Sequence, residues 1–219
     1  MIEHVYRRVS EARALSGVIV ATDDDRIKRA VEAFGGAVRM TSPSHASGTD
    51  RVAEVAATLT CVLVVNVQGD EPLIEPAMIE EAIAPFSTDA GLQMGTLRRR
   101  IDDAAQAASP HVTKVVVDAD DFALYFSRAP IPFLRDAAAG TPVFRHVGLY
   151  VYRRGFLLEL ARQAPTPLEQ AEALEQLRAL ERGARIKAVE TRYDSIGVDT
   201  PEDLERVRRR LVVRSAPGA

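Results

Sequence analysis

Short apolar, β-branched runs alternate with helix-like segments through the first half of the chain, and this alternation limits the fold more than any other sequence feature. An amphipathic pattern opens the chain and predicts a helix that ends near Gly17. Residues 17–22 form an apolar run, and the acidic residues 23–25 after it favour a helix start. The pattern recurs as a helix through Leu59 and a strand over residues 61–67. Such alternation predicts an α/β fold whose sheet is flanked by helices.

A different pattern begins at Lys114. Two strand-like segments, residues 114–118 and 122–127, flank the turn-forming residues 119–121, which predicts a β-hairpin. We therefore expect a mixed sheet that is mostly parallel. The 219 residues are enough for one well-packed domain and contain no linker-like stretch, so we expect a single domain over residues 1–219.

Cap signals mark two helices near the end of the chain. Thr166, Pro167 and Glu169 supply an N-cap, a first-turn proline and a capping-box glutamate. Because Gly183 provides a stop signal, we predict one continuous helix between Thr166 and Gly183. Thr200 provides a similar N-cap for a closing helix.

Charge and hydropathy narrow the classes of partner. The formal net charge of −3 argues against a broad nucleic-acid surface, which needs many basic contacts to phosphates. No apolar run reaches the roughly 18 residues that a membrane span needs. The N-terminus lacks the basic and apolar regions of a secretory signal. We therefore expect small-molecule chemistry in the cytoplasm, with neither nucleic acid nor membrane as a partner.

A polar loop follows the predicted strand 61–67. It reads Asn-Val-Gln-Gly-Asp-Glu-Pro over residues 66–72, and ligands of open parallel sheets gather at the carboxyl ends of strands. Gly69 would let the backbone approach a ligand, and the Asp70 carboxylate is a hard oxygen ligand that suits Mg²⁺. The alternative interpretation is an ordinary turn, since Gly, Asp and Pro are common turn residues.

Three further groups of polar residues are candidates for a site. Asp199 directly precedes the closing helix, where it is either a second metal ligand or a stabiliser of the helix N-terminus. Strict alternation over residues 146–152 places His146, Gly148, Tyr150 and Tyr152 on one face of a strand. Helical spacing clusters polar side chains after Pro167 on one face, either facing a site or in solvent: Glu172, Glu175 and Gln176.

Several common catalytic motifs are missing from the sequence. It contains neither the Gly-x-x-x-x-Gly-Lys-Ser/Thr loop of many NTPases nor the Gly-x-Gly-x-x-Gly fingerprint of dinucleotide-binding enzymes. The Gly-x-Ser-x-Gly elbow of many hydrolases is also missing, which argues against a Ser/His/Asp triad.

Taken in order, the motifs of this chain resemble those of 3-deoxy-D-manno-octulosonate (Kdo) cytidylyltransferases, also called CMP-Kdo synthetases. The matching stretches are Met40-Thr41, His45-x-Ser47-Gly48-Thr49-x-Arg51, residues 66–72, Tyr125-Phe126-Ser127-Arg128, His146-x-Gly148-x-Tyr150, Glu175-Gln176-Leu177-Arg178 and residues 197–204. The resemblance covers residues 1 to about 210. It implies a Rossmann-like nucleotidyltransferase fold, with the hairpin belonging to a dimerisation and acceptor region.

The resemblance also implies an activity and a set of site residues. CMP would pass from CTP to the anomeric hydroxyl of Kdo, with release of pyrophosphate, for lipopolysaccharide assembly, in a Mg²⁺-dependent homodimer. Asp70 and Asp199 match the metal ligands and are the implied catalytic residues. Nucleotide-binding positions match Ser47, Gly48 and Arg51. Positions facing Kdo match Gln68, Arg128, His146, Tyr150, Glu175 and Gln176, with Glu172 as an alternative helix contact.

The chain departs from the family pattern at its start. Family members carry a strand and an Ala-Arg-x-x-Ser-x-Arg-Leu-Pro-Gly-Lys-type loop before the segment that matches Met1, and these 219 residues do not include them. That loop holds the triphosphate, so we expect little turnover from the 219 residues alone. Two alternatives therefore stay open: another sugar-acid cytidylyltransferase, of the CMP-sialate type, or a non-catalytic remnant.

Overall fold

The computed structural model describes residues 1–45, 47–136, 140–195, 197–198 and 200–215, with the backbone alone for 211–215. In these ranges the strands are β1 Val20–Thr22, β2 Val38–Met40, β3 Leu63–Asn66, β4 Met94–Arg100, β5 Lys114–Val117, β6 Ala123–Ser127, β7 Phe144–Arg153 and β8 Ile186–Glu190. The helices are α1 Ile2–Ser10, α2 Asp25–Ala33, α3 Gly48–Ala57, α4 Pro76–Ile83, α5 Pro85–Thr88, α6 Ala104–Ala108, α7 Arg154–Leu160, α8 Pro167–Glu172, α9 Gln176–Glu181 and α10 Pro201–Ser215.

β7 organises the larger sheet, in which β6, β5, β7, β4 and β8 follow one another and β3 also pairs with β7. One edge of β7 pairs with β4 over most of its length. Its other edge is shared, because β3 pairs with residues 150–153 and β5 with residues 144–145. The loop after β3 therefore emerges beside the middle of β7.

The mixed α/β sheet predicted from the sequence is confirmed, but the expectation that it is mostly parallel is wrong: among the described strands of the larger sheet one pair is parallel and four pairs are antiparallel. β4 pairs in parallel with β8, and β1 pairs in parallel with β2 in a separate two-stranded sheet. β3, β4, β5 and β8 share one direction, since β3, β4 and β5 are each antiparallel to β7. The predicted hairpin is β5 and β6, whose tight turn includes Asp121 with a positive φ of 61°.

The alternation of residues along β7 builds a core on each face of the sheet. Val147, Leu149 and Val151 point into one apolar cluster with α1 and α4. Tyr152 points into the other cluster, which the helices α3, α7 and α9 complete. Apolar clusters therefore cover both faces of the larger sheet at β7.

Two helix predictions need correction. The opening helix is shorter than expected, because α1 ends at Ser10. The helix predicted between Thr166 and Gly183 is two helices, α8 and α9, separated at Ala173, whose φ of 52° is left-handed. The glutamate half of the predicted capping box is present, since the Thr166 N–H donates to Glu169 Oε2 at 3.0 Å, whereas Thr166 Oγ1 has no hydrogen-bond partner among the described residues.

The break between α8 and α9 has a tertiary cause. Arg128 Nε donates to the Glu172 carbonyl at 2.8 Å, and Arg128 Nη2 donates to the Ala173 carbonyl at 3.4 Å. These contacts satisfy carbonyls that a continuing helix would have used. The prediction that Glu172, Glu175 and Gln176 share one helix face is therefore wrong.

Among the described residues no helix is long and apolar enough to cross a bilayer.

Candidate active site

The loop after β3 lies over the middle of β7, as its position at a strand end predicts. A β-carbon added at Gly148 would lie 3.5 Å from Glu71 Oε1 and 3.6 Å from Gln68 Cγ. Gln68 is exposed, whereas Gly148 is half-buried. The structure therefore brings Gln68 and the Asp70 loop to the face of β7 that carries His146 and Tyr150.

A backbone hydrogen bond joins the Asp70 loop to the segment before α10. Val198 N–H donates to the Asp70 carbonyl at 2.9 Å. Asp199 itself lies outside the described residues, although its neighbours on both sides, Val198 and Thr200, are described. The two segments that carry the predicted metal ligands therefore meet.

The carboxylate oxygens of Asp70 and Asp199 are the type of ligand that Mg²⁺ accepts. Mg²⁺ is usually held by one or two carboxylates together with substrate phosphates and waters, not by a full protein cage. The described residues contain no group of three or more His, Cys, Asp or Glu side chains arranged around a metal position. Asp70 and Asp199 are the residues that would hold the ion.

A cluster of arginines anchors the segment that leads towards Asp199. The Asp194 carboxylate pairs with Arg145 at 2.7 Å, Arg99 at 3.0 Å and Arg210 at 3.5 Å. Burial, opposed by the Asp194 charge, lowers the pKa of Arg145, and the charge of Glu71 also acts on it. Arg145 on β7 therefore interacts with both loops that carry the predicted metal ligands.

His146 lies on the polar face of β7 in a largely apolar setting. Its ring packs edge-on against Phe126 and tilts against Tyr150, with centroids 5.1 and 5.2 Å apart. Nε2 is 2.9 Å from Thr96 Oγ1. Because the single Thr96 hydroxyl proton also has the Leu149 carbonyl at 2.7 Å, we assign the imidazole proton to Nε2, donating to Thr96.

The same setting fixes the charge of His146. Burial, with the positive charge of Arg145 as a second cause, lowers the pKa of His146 to about 3. The ring is therefore neutral at physiological pH, so it acts as a hydrogen-bonding surface there and not as an acid.

Replacing His146 with glutamine is expected to weaken the acid sensitivity of the fold. Between the ordinary pKa of 6.5 and the folded value of about 3, the unfolded chain binds a proton at His146 that the folded chain does not. Lowering the pH through that window therefore favours unfolding of the wild type. Urea denaturation at pH 7 and pH 5 should show a smaller loss of stability for His146→Gln. His111→Gln is the control, because His111 is exposed. An equal loss of stability on acidification in the wild type and in His146→Gln would contradict the lowered pKa of His146.

Tyr150 and Tyr152 continue the face of β7 that begins with His146. Their rings stack with centroids 5.9 Å apart. Burial raises the pKa of both phenols, and the charge of Glu175 contributes to each shift. Both tyrosines therefore stay protonated, and the Glu175 carboxylate lies on their side of the sheet.

Arg128 is held in place through main-chain contacts. Besides its bonds to the Glu172 and Ala173 carbonyls, Nη1 donates to the Pro110 carbonyl at 3.3 Å. Its own backbone N–H donates to the Glu172 carboxylate at 2.9 Å. A guanidinium has five N–H donors, so among the described contacts one N–H on each terminal nitrogen remains for a ligand. The predicted pairing of Arg128 with a substrate carboxylate stays a prediction.

Lys114 is fully buried at 0% exposure. The burial of this side chain was not predicted from the sequence. Its Nζ donates to the carbonyls of Ser109, Val112 and Arg128 at 2.7, 2.6 and 2.5 Å. Burial lowers the pKa of Lys114. A signal was present, because lysine is rare in buried strands and this chain has only three lysines.

The predicted nucleotide-side residues surround the start of α3. Ser47 is the N-cap, and its hydroxyl accepts the Asp50 N–H at 3.1 Å. Gly48 is exposed, with open space where a side chain would stand. Arg51 donates to Thr41 Oγ1 at 2.5 Å and to Asp23 Oδ2 at 2.9 Å, which ties α3 to the ends of β1 and β2.

Glu175 and Gln176 occupy different environments although they are neighbours in sequence. The Glu175 carboxylate accepts the Thr49 N–H at 3.2 Å and also the Thr49 hydroxyl. Gln176 is 4% exposed, and its Nε2 has no hydrogen-bond partner among the described residues. A buried amide donor without a partner costs free energy, so this nitrogen is a candidate contact for a bound ligand.

The chain matches a family of known enzymes over most of its length. A profile of the cytidylyltransferase family matches residues 1–186. The 3-deoxy-manno-octulosonate cytidylyltransferase of Geobacter sulfurreducens is 57% identical over 221 residues, which is 96% of this chain and 88% of the relative. The enzyme of that name from Geotalea uraniireducens is 58% identical over 221 residues, with the same coverages of 96% and 88%.

Solved structures agree with this relationship. A CMP:2-keto-3-deoxy-manno-octonic acid synthetase complexed with CTP superposes with a TM-score of 0.92 at 42% identity, covering 97% of this chain and 88% of that one. A 4-diphosphocytidyl-2C-methyl-D-erythritol synthase from Anaerococcus prevotii shares the fold alone, with a TM-score of 0.61 at 15% identity and coverages of 96% and 88%. By sequence and by structure, the chain belongs to the 3-deoxy-manno-octulosonate cytidylyltransferase family.

Proposed function

We propose that this protein transfers CMP from CTP to the anomeric hydroxyl of Kdo, with release of pyrophosphate, for lipopolysaccharide biosynthesis. The observation that supports the proposal most strongly is the meeting of the Asp70 loop with Val198, at 2.9 Å, above the polar face of β7. Membership of the family supplies the identity of both substrates. Because CTP is a cytoplasmic nucleotide, the proposed reaction also implies a cytoplasmic location.

In the proposed reaction the chain mainly positions its substrates. Ser47, Gly48 and Arg51, at the start of α3, would face the nucleotide. Arg128, through its two remaining N–H groups, would bind the sugar-acid carboxylate. Neutral His146 and protonated Tyr150 would form hydrogen bonds to sugar hydroxyls without adding charge. Holding two substrates in a reactive orientation removes a large part of an entropic barrier.

Mg²⁺ is part of the proposal, with Asp70 and Asp199 as its ligands. When bound, the ion would offset negative charge on the phosphates and ease deprotonation of the attacking hydroxyl. The backbone contact between Val198 and Asp70 and the anchoring of Asp194 by arginines would keep the two carboxylates together.

We further propose a homodimer, in keeping with the family resemblance. Phe133 is 88% exposed and forms part of the lining of a mostly apolar cleft of about 350 Å³, together with residues that include Ile101, Ala104, Ala107 and Val143. A projecting ring and a cleft on the same surface are suited to an isologous contact between two copies. Light scattering after gel filtration should give twice the chain mass, and Phe133→Glu should halve it. A monomeric wild type would contradict this part of the proposal.

Pyrophosphate release in the presence of CTP and Mg²⁺ tests the activity. The protein encoded by the full gene should release pyrophosphate with Kdo and stay near the no-acceptor background with N-acetylneuraminate. Activity with the sialic acid and none with Kdo would reassign the substrate. CTP binding without turnover on either acceptor would favour a non-catalytic role.

A further inference from the structure

The carboxylate of Glu175 lies where the sugar side and the nucleotide side of the site meet. It follows the break at Ala173 and directly precedes α9. Its Oε2 accepts the backbone N–H of Thr49 at 3.2 Å and the Thr49 hydroxyl as well. The two residues are 126 positions apart in sequence, so this is a tertiary contact and not a local cap.

The contact is made at the first turn of α3. Ser47 is the N-cap of α3, and Thr49 is its second helical residue. The first N–H groups of a helix have no partner inside the helix, and an anionic carboxylate is favoured there by the helix dipole. From the position directly before α9, Glu175 therefore supplies a cap that supplements the one from Ser47.

Neighbouring contacts fix Glu175 in this orientation. Thr49 is 6% exposed and lies against the Tyr152 phenol. Arg178, one turn further along α9, lies 3.9 Å from Asp50, the next residue of α3. The junction thus consists of Thr49 and Asp50 of α3, which lie against Glu175 and Arg178 respectively.

We infer that Glu175 is a positioning residue for the nucleotide, which it serves by holding the start of α3 through Thr49. This inference rests on the proposed function, and it assigns Glu175 a role distinct from direct contact with the sugar acid.

The test separates the two substrates. On the protein encoded by the full gene, CTP affinity by calorimetry and KM for CTP and for Kdo would be measured for Glu175→Gln, Thr49→Val and Thr49→Ser. Glu175→Gln and Thr49→Val should each weaken CTP binding about tenfold, the scale expected for losing a helix cap and a charge-assisted hydrogen bond. KM for Kdo should change by less than about threefold. Thr49→Ser keeps the hydroxyl and should remain near wild type.

The double variant Glu175→Gln with Thr49→Val decides whether the residues act through each other. Its loss of CTP affinity should match that of the worse single variant and fall short of the product of the two effects. Multiplicative losses, or a raised KM for Kdo with unchanged CTP affinity in Glu175→Gln, would overturn the inference. A wild type that binds CTP but does not form CMP-Kdo would instead contradict the proposed function, and the calorimetric comparison would still decide the role of Glu175.

Discussion

Replacing Asp70 by asparagine is expected to lower kcat for CMP-Kdo synthesis by at least about a hundredfold. A bound Mg²⁺ contributes several kcal/mol of charge stabilisation in the transition state, and each 1.4 kcal/mol or so corresponds to about tenfold in rate. An amide keeps the shape of the side chain but lacks the charge that holds the ion. Steady-state pyrophosphate release over a range of Mg²⁺ concentrations measures the effect.

Two comparisons make the Asp70 result specific. Asp25→Asn is the matched control, because Asp25 is exposed at the first residue of α2. This variant should keep wild-type turnover. Thermal unfolding should show that Asp70→Asn is folded. If Asp70→Asn retained turnover within about threefold of the wild type, Asp70 would not be a metal ligand.

Replacing Arg178 by methionine is expected to cost about 3–5 kcal/mol of stability, the usual range when one partner of a buried ion pair is removed. Arg178 binds Glu169 at 2.8 and 2.5 Å, with both side chains less than 10% exposed. Although burial opposes it, the bond from Arg178 lowers the pKa of Glu169. Without Arg178, a buried carboxylate would have to ionise without its cation. For a chain of this length, Tm should fall on the order of 10 °C.

A matched exposed pair gives the scale for that loss. Arg7 pairs with Glu3 at 2.7 Å, and the two side chains are 63% and 48% exposed, so Arg7→Met should change stability by at most about 1 kcal/mol. Adding Glu169→Leu to Arg178→Met should recover part of the loss, because it removes the stranded charge. Equal effects of Arg178→Met and Arg7→Met in chemical denaturation would contradict this account.

The sequence was most informative where the signal is local. The alternation over residues 146–152 correctly predicts a strand with Val147, Leu149 and Val151 in one core, because strand periodicity depends only on neighbouring residues. The hairpin from Lys114 and the glutamate half of the capping box at Thr166 were predicted for the same reason. The position of the Asp70 loop follows from the rule about strand ends.

The features that the sequence did not reveal depend on distant partners. Cap signals at Thr166 and Gly183 favoured one helix, but contacts from Arg128 to the carbonyls of Glu172 and Ala173 stabilise a break. Tertiary contacts of this kind regularly override helix propensity. The contact between Glu175 and Thr49 joins residues 126 positions apart, and no local pattern encodes such a pairing.

The fate of the α-phosphate of CTP tests the central proposal most directly. The protein encoded by the full gene would be incubated with CTP labelled at the α-phosphate, Mg²⁺ and Kdo, and the products separated and identified by mass. The proposal predicts that the label appears in CMP-Kdo while the other two phosphates leave together as pyrophosphate. Label confined to CTP, or to free CMP with Kdo unchanged, would contradict it.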